Sequence, residues 1–132
     1  MELSREDFEE LAEEAFDVLP DRFRDAVDNV EIVVEDRPAR EDREQFGGSG
    51  SLLGLYKGIP LTRRGVWYGT YPTLPDRIYL YQKNIEAICR SRADVKRQVY
   101  ATLYHELGHY FGMNESEIRQ AMDEDGWAFP SQ

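Results

Sequence analysis

Histidine and cysteine are scarce in this chain, which contains two histidines and one cysteine among 132 residues. The single cysteine, Cys89, excludes an internal disulfide and agrees with a reducing compartment. No run of about 18 apolar residues is present, so the sequence predicts no transmembrane helix. Residues 1–16 are acidic and amphipathic, without the basic start and apolar core of a signal peptide. Together these absences predict a cytoplasmic protein.

Negative charge predominates, with a formal net charge of −10 at pH 7. Residues 1–45 contain 17 acidic and 6 basic residues, whereas residues 46–114 contain 4 acidic and 9 basic residues. The overall charge argues against nucleic acid or a membrane as partner. The basic middle could attract an acidic substrate, although a solvated surface is the commoner role of charged runs. Length and composition predict one domain over residues 1–132 and leave the oligomeric state open.

Capping residues mark helices in the first part of the chain. Ser4 begins a capping box, apolar residues then recur at helical spacing, and Pro20 ends the pattern. A weaker and shorter helix is predicted over residues 21–29.

A second capping box, which begins at Ser91, starts a long helix that runs to about Phe111. Gly112 is expected to end that helix in the left-handed conformation. Asn114 can then cap a final helix over about residues 115–124.

Three segments are predicted to form strands: residues 30–35, residues 77–82, and residues 52–61, the last broken by Gly58 and Pro60. Residues 36–45 are too charged to bury and are predicted to form a loop. Residues 65–77, rich in aromatic residues and proline, are predicted to form a second, longer loop. This order of elements predicts an α+β fold, in which helices pack against a small sheet.

Both histidines lie in the run YHELGHYFGMNE of the long helix, predicted over about residues 92–111. At about 100° per residue, His105 and His109 lie one turn apart on the same face, where both imidazoles can reach one metal ion. This is the H-E-x-x-H pattern, and two neutral imidazoles suit Zn²⁺. Glu106 flanks that face and can act as general base for a metal-activated water.

A third metal ligand must come from beyond the helix. Gly112 lets the chain turn, and Glu115 follows it at the spacing that metzincins use for their last histidine. A carboxylate is an acceptable zinc ligand, so Glu115 is the predicted third ligand. Glu117 and Asp123 are the alternatives.

With these residues the chain resembles the small bacterial zincin-like metallopeptidases, whose pattern is H-E-x-x-H-x-x-G-x-x-D/E. The resemblance extends to LGLYKGIPLTRR at 54–64 and LPDRIYLYQ at 74–82. It implies a minimal zincin fold, with a small mixed sheet, an active-site helix and a following helix. It also implies that His105, His109 and Glu115 bind zinc and that Glu106 is the base. The implied activity is hydrolysis of peptide bonds in a peptide or protein substrate.

Several assignments stay open. A non-catalytic zinc-binding or interaction module is the alternative function. A purely structural zinc site is a weaker hypothesis, because the chain offers no third histidine. A substrate could add to the edge of the sheet at 54–59 or at 77–82. The candidates for stabilising an oxyanion are Tyr68, Tyr71, Tyr110 and Arg119.

Overall fold

The computed structural model of this protein describes residues 1–26, 30–47, 51–58 and 76–125. Within these ranges, six helices and three strands form a small α+β fold. This is the fold class that the sequence predicts. In chain order they are α1 (Arg5–Asp17), α2 (Asp21–Ala26), β1 (Val30–Glu35), α3 (Arg40–Phe46), β2 (Gly54–Lys57), β3 (Asp76–Tyr81), α4 (Gln82–Ala87), α5 (Arg92–Tyr110) and α6 (Glu115–Asp125). No helix of the described ranges is long and apolar enough to cross a lipid bilayer.

The predicted helix starts are confirmed by their capping contacts. Ser4 Oγ accepts a hydrogen bond from the backbone N–H of Asp7 at 3.0 Å, and Ser91 Oγ accepts one from Asp94 at 3.1 Å. These bonds satisfy backbone donors that a first helical turn leaves unpaired. Gly112 has a φ of 80°, the left-handed conformation expected at the end of α5.

Two predictions about loops need correction. Residues 36–45, predicted to form a loop, contain most of helix α3, none of whose residues is buried. Arginine, glutamate and glutamine are good helix formers, and Arg40 pairs with Glu44 one turn away at 3.4 Å, so a helix forms there without an apolar face. The sequence reasoning also missed α4, which follows β3 directly and has no capping side chain.

Some sequence predictions fall partly outside the described residues. Of the loop predicted over 65–77, residues 65–75 lie outside the described part of the chain, and its last two residues belong to β3. The predicted strand at 52–61 is realised as the four residues of β2, and its end beyond residue 58 is likewise not described.

The sheet has the strand order β1-β3-β2. β1 runs parallel to β3, with Val30 opposite Asp76, and β2 runs antiparallel to β3, with Tyr56 opposite Ile78. The central position of β3 explains why Ile78 and Leu80 are fully buried. β3 is paired on both sides, so within the described part of the chain β2 rather than residues 77–82 provides the sheet edge beside α5.

Helix α5 forms the centre of the core, because α1 and the sheet both pack against it. Val99, Leu103 and Leu107 form an apolar stripe along it and are buried. Tyr100 and Tyr104, which lie off that stripe, are buried as well. Little of α5 therefore remains exposed, and the surface that does includes the two histidines.

Helix α6 is tied to the rest of the fold at its C-terminal end. Asp125 accepts two hydrogen bonds from the guanidinium of Arg22 in α2, at 2.8 and 3.0 Å, and another from the hydroxyl of Tyr104 in α5. The Arg22 contact is the main reason that the pKa of the Asp125 carboxyl lies below its usual value. Three helices thus meet at one carboxylate.

The close approach of β2 to α5 depends on Gly54. A Cβ atom at this position would lie 2.5 Å from the side-chain methyl of Thr102 and 2.9 Å from the backbone oxygen of Tyr79. Both distances are shorter than van der Waals contact, so a side chain here would push the strand away from the helix.

Replacing Gly54 with alanine should therefore destabilise the protein by about 1–3 kcal/mol, the usual cost of overpacking. Adding Thr102→Ser removes the methyl group and keeps the hydroxyl, which donates to the carbonyl of Gln98 at 2.8 Å. Urea denaturation should show partial recovery in the double variant, because the clash with Tyr79 remains. Wild-type stability in Gly54→Ala would contradict this account of the strand–helix contact.

Candidate metal centre

The two histidines lie on the exposed face of α5, one turn apart. The ring centroids of His105 and His109 are 4.6 Å apart and their planes are perpendicular. Each side chain is about one third exposed, at 37% and 34%. The same helix turns its apolar stripe toward the core, so both imidazoles face solvent rather than the interior.

Glu115 completes a cluster with these histidines. Its carboxylate oxygens lie 2.8 and 3.0 Å from Nε2 of His105, and one of them lies 3.1 Å from Nε2 of His109. The turn at Gly112 brings the start of α6 back toward α5, and the backbone N–H of Met113 donates to the carbonyl of Gly108 at 2.9 Å. Three polar groups from two helices therefore converge on one point.

Gly108 permits the two helices to approach closely enough for this convergence. A Cβ atom at Gly108 would lie 2.5 Å from Cγ1 of Ile118, which is buried in the α5–α6 contact. The glycine in the middle of the motif thus serves packing, whereas Gly112 serves the turn.

The donor set fits a zinc ion. One ligand atom from each of His105, His109 and Glu115 lies within 4.8 Å of the others. Two imidazole nitrogens and one carboxylate oxygen, with a further position open, are typical of catalytic zinc.

The two alternative third ligands are placed differently. Glu117 accepts the backbone N–H of Asn114 at 2.8 Å, and Asn114 in turn accepts the N–H of Glu117, so this acid closes a capping box. Asp123 is not part of the cluster. The assignment of the three residues as zinc ligands stays a prediction, and the geometry favours Glu115 over both alternatives.

Glu106 lies on the wall of the cleft and is only 6% exposed. One carboxylate oxygen accepts the backbone N–H of Tyr56 in β2 at 2.8 Å. The other lies 2.7 Å from Nδ1 of His105. Because an ionised carboxylate can only accept, Nδ1 of His105 donates, and this arrangement leaves Nε2 directed at Glu115 and the centre of the cluster.

The Tyr56 contact was missed in the sequence reasoning. The donor is a backbone group, so no side chain in the sequence marks it. Knowing that β2 is an edge strand, and which of its backbone groups point outward, requires the sheet register.

Two groups of the site, His105 and Glu115, have shifted pKa values. Hydrogen bonds to Glu106 and, to a smaller degree, to Glu115 raise the pKa of His105 to about 9. The contact with His105 in turn lowers the pKa of the Glu115 carboxyl. In the metal-free protein His105 is therefore protonated at neutral pH, and the proton on Nε2 occupies the place that a metal would take.

Other residues considered from the sequence are not at the centre. Tyr110 is fully buried, and its ring meets that of Tyr56 edge-on at 5.8 Å. Arg119 is exposed on α6. Tyr68 and Tyr71 lie outside the described residues.

The cluster opens into a cleft between α5 and residues 51–57. A cavity of about 410 Å³ contacts all four residues of the candidate site. It is lined by Leu55, Tyr56, His105, Glu106, His109 and Glu115. A second cavity of about 460 Å³ is also lined by His105 and Glu106 and extends along α5 to Ala101 and Gln98. The candidate metal centre therefore lies within an elongated cleft rather than at its end.

A family model for zincin-like metallopeptidases matches residues 27–127. The chain belongs to this family. Among solved structures, this zincin-like chain is similar to a conserved hypothetical protein from Thermo thermophilus, with 24% identity and a TM-score of 0.52 over 83% of this chain and 94% of that one. At this identity the likeness shows the fold alone. A comparison with curated proteins finds no match.

Zinc binding tests the ligand set of this zincin-like site. Glu115→Gln and His109→Ala should each weaken zinc binding by more than the roughly 10–100-fold typical of losing a residue that only hydrogen-bonds to a ligand. Competition against a chelator measures the affinity. Asp123→Asn, which removes a charge from the same helix, is the matched control and should bind zinc as the wild type does. Equal affinity in Glu115→Gln and the control would exclude Glu115 from the site.

Zinc affinity should also rise with pH, because the proton on His105 must leave before Nε2 can bind the metal. Between pH 6.5 and about 9, the affinity should rise by about tenfold per pH unit, as expected for displacement of one proton. In the metal-free protein the sign is opposite. The raised pKa of His105 stabilises the fold fully below pH 6.5, and this contribution is lost as pH rises through about 9. A zinc affinity that is constant over this range would show that His105 is already neutral.

Proposed function

We propose that this protein is a zinc-dependent peptidase in which His105, His109 and Glu115 hold the metal and Glu106 is the general base. The observation that carries this proposal is the convergence of the three ligand groups within 4.8 Å, with Glu106 bonded to one of them on the wall of the same cleft. Membership of the zincin-like metallopeptidase family supports the same reaction class.

The residues divide the chemistry between them. A bound zinc ion would supply Lewis acidity, which lowers the pKa of a water molecule toward 7 and polarises a peptide carbonyl. Glu106 accepts the proton of the attacking water at a carboxylate oxygen and delivers it to the leaving nitrogen. To do so, one oxygen exchanges its contact with Nδ1 of His105 for one with the water. The backbone N–H of Tyr56 holds the other oxygen in place at 2.8 Å.

Strand β2 can position a substrate beside this base. The carbonyl of Leu53 accepts the N–H of Tyr81. Because backbone groups alternate along a strand, the N–H and C=O groups of Leu53 and Leu55 point toward β3. Those of Gly54 and Tyr56 point away from it, toward the outer edge. The Tyr56–Glu106 contact agrees with this alternation. An extended peptide that adds to the outer edge of β2 would lie in the cleft, with its backbone next to Glu106.

The second candidate function is a zinc-binding module without catalysis. The observation in its favour is that both oxygens of Glu106 are already engaged, one by Tyr56 and one by His105. In that case Glu106 would orient the His105 ring and would have no proton to transfer.

Glu106→Gln separates the two functions. Hydrolysis of a peptide library by the zinc-loaded protein should fall by about 10²–10⁴-fold, the usual contribution of a general base. Zinc should still bind, with an affinity reduced by no more than about 100-fold, because glutamine cannot accept from both Tyr56 and His105. Assays are run at saturating zinc, with the metal content of each sample measured.

Asp123→Asn again provides the matched control and should cleave at the wild-type rate. If the wild type cuts no peptide while binding zinc tightly, the non-catalytic module is favoured. A wild-type rate in Glu106→Gln would remove this residue from the mechanism.

A further inference from the structure

The cleft continues along α5 away from the candidate metal centre. Its cavity of about 460 Å³ runs between Leu52 and Leu53 on one side and Ala101 and Thr102 on the other. Phe46, which is 48% exposed, also lines it. This part of the cleft is mainly apolar, and an apolar side chain next to the scissile bond would fit it.

A further cavity of about 320 Å³ adjoins the 460 Å³ cavity. Gln98 and Ala101 line both of them, so the two cavities are neighbours along α5, and we call the pair the groove. The chemistry changes along this groove, because the far cavity is lined by the charged side chains of Asp94 and Arg97.

Arg97 is the cation at the far end of the groove, and it is only loosely paired. Within the described residues its ion-pair partner is Asp94, at 3.8 Å. The other oxygen of Asp94 accepts the backbone N–H of Arg90 at 3.0 Å, which holds this carboxylate at the start of the helix. By contrast, the guanidinium of Arg22 makes two short bonds to Asp125, at 2.8 and 3.0 Å. Arg97 therefore keeps donors for a bidentate bond to an incoming carboxylate.

The spacing along α5 sets the length of the ligand. Arg97 precedes His105 by eight residues, which corresponds to about 12 Å at 1.5 Å per residue. An extended peptide advances about 3.3 Å per residue, so three to four residues cover this distance.

We propose that Arg97 forms a carboxylate-binding subsite of the substrate cleft. The preferred peptide then carries an apolar side chain next to the cut bond. It carries a carboxylate three to four residues further along, on the side that extends toward Arg97. This inference rests on the proposed peptidase function, and it adds a substrate class to it. The carboxylate could belong to an acidic side chain or to the C-terminus of a peptide, because both present the same two oxygens.

Matched peptides test the subsite. Each peptide carries leucine next to the cut bond and glutamate, glutamine or lysine at the third or fourth position beyond it. The N-terminus is acetylated and the C-terminus is amidated, so that neither end adds a charge. The zinc-loaded wild type should cleave the glutamate peptide with at least about tenfold higher kcat/KM than the glutamine peptide, as expected for a bond between charged groups. A glutamine peptide with a free C-terminus at that position shows whether a terminal carboxylate serves equally.

Variants at Arg97 assign the preference to this residue. Arg97→Gln should lower the rate on the glutamate peptide and so abolish the difference between the glutamate and glutamine peptides. Arg97→Glu should reverse the preference toward lysine. The matched control is Arg92→Gln, which removes one charge from the same helix at a residue paired with Asp7 on α1 at 3.5 Å. It should keep the wild-type preference.

The possible failures are distinguishable. Cleavage without an acidic preference, or equal losses in Arg97→Gln and Arg92→Gln, overturns the subsite and leaves the peptidase function intact. If no peptide is cleaved, the peptidase function fails, and calorimetric binding of the same peptides decides the subsite. Tighter binding of the glutamate peptide that is lost in Arg97→Gln supports it, whereas equal binding of both peptides, or no binding, overturns it.

Discussion

The position of the His105 imidazole is the constraint on which the candidate site depends. Glu106 lies against one ring nitrogen, and Glu115 lies against the other. The first carboxylate is fixed in turn by the backbone of β2, and the second is carried by α6. A line of hydrogen bonds thus runs from the sheet, through α5, to the following helix. Each bond fixes the direction of the next group, so the ring can rotate freely only if its contacts with both carboxylates are broken.

The close helix and strand contacts make this line possible. Gly54 and Gly108 both stand where a Cβ atom would meet a neighbouring element at 2.5 Å. One lets β2 reach Glu106, and the other lets α6 reach the histidines. Polar contacts of this length need the backbones to be placed within fractions of an ångström, and here close packing provides that placement. The polar contacts of the site therefore depend on the packing at Gly54 and Gly108.

The sequence predicts the parts of the fold whose signals are local. Ser4, Ser91 and Gly112 act on adjacent backbone groups, so the limits of α1 and α5 follow from them. The four-residue spacing of His105 and His109 likewise needs only a helix. Helix α3 was missed because exclusion from the core was read as absence of helix, although a charged segment can be helical at the surface. The bond between Tyr56 and Glu106 was missed because it joins residues 50 positions apart through a backbone group.

The contacts of Asp125 with Arg22 and Tyr104 lie at the opposite end of α6 from Glu115. Both ends of this helix are therefore attached, the C-terminal end through Asp125 and the N-terminal end through the contacts of Glu115 with His105 and His109. A metal ion bound by Glu115 and the two histidines would stabilise the same docked helix as Arg22 does, so the two would be thermodynamically linked. The free energy that a metal contributed to the fold would then depend partly on Arg22, which is not one of the three candidate ligands. In such an arrangement the metal affinity of the site would be a property of the whole fold.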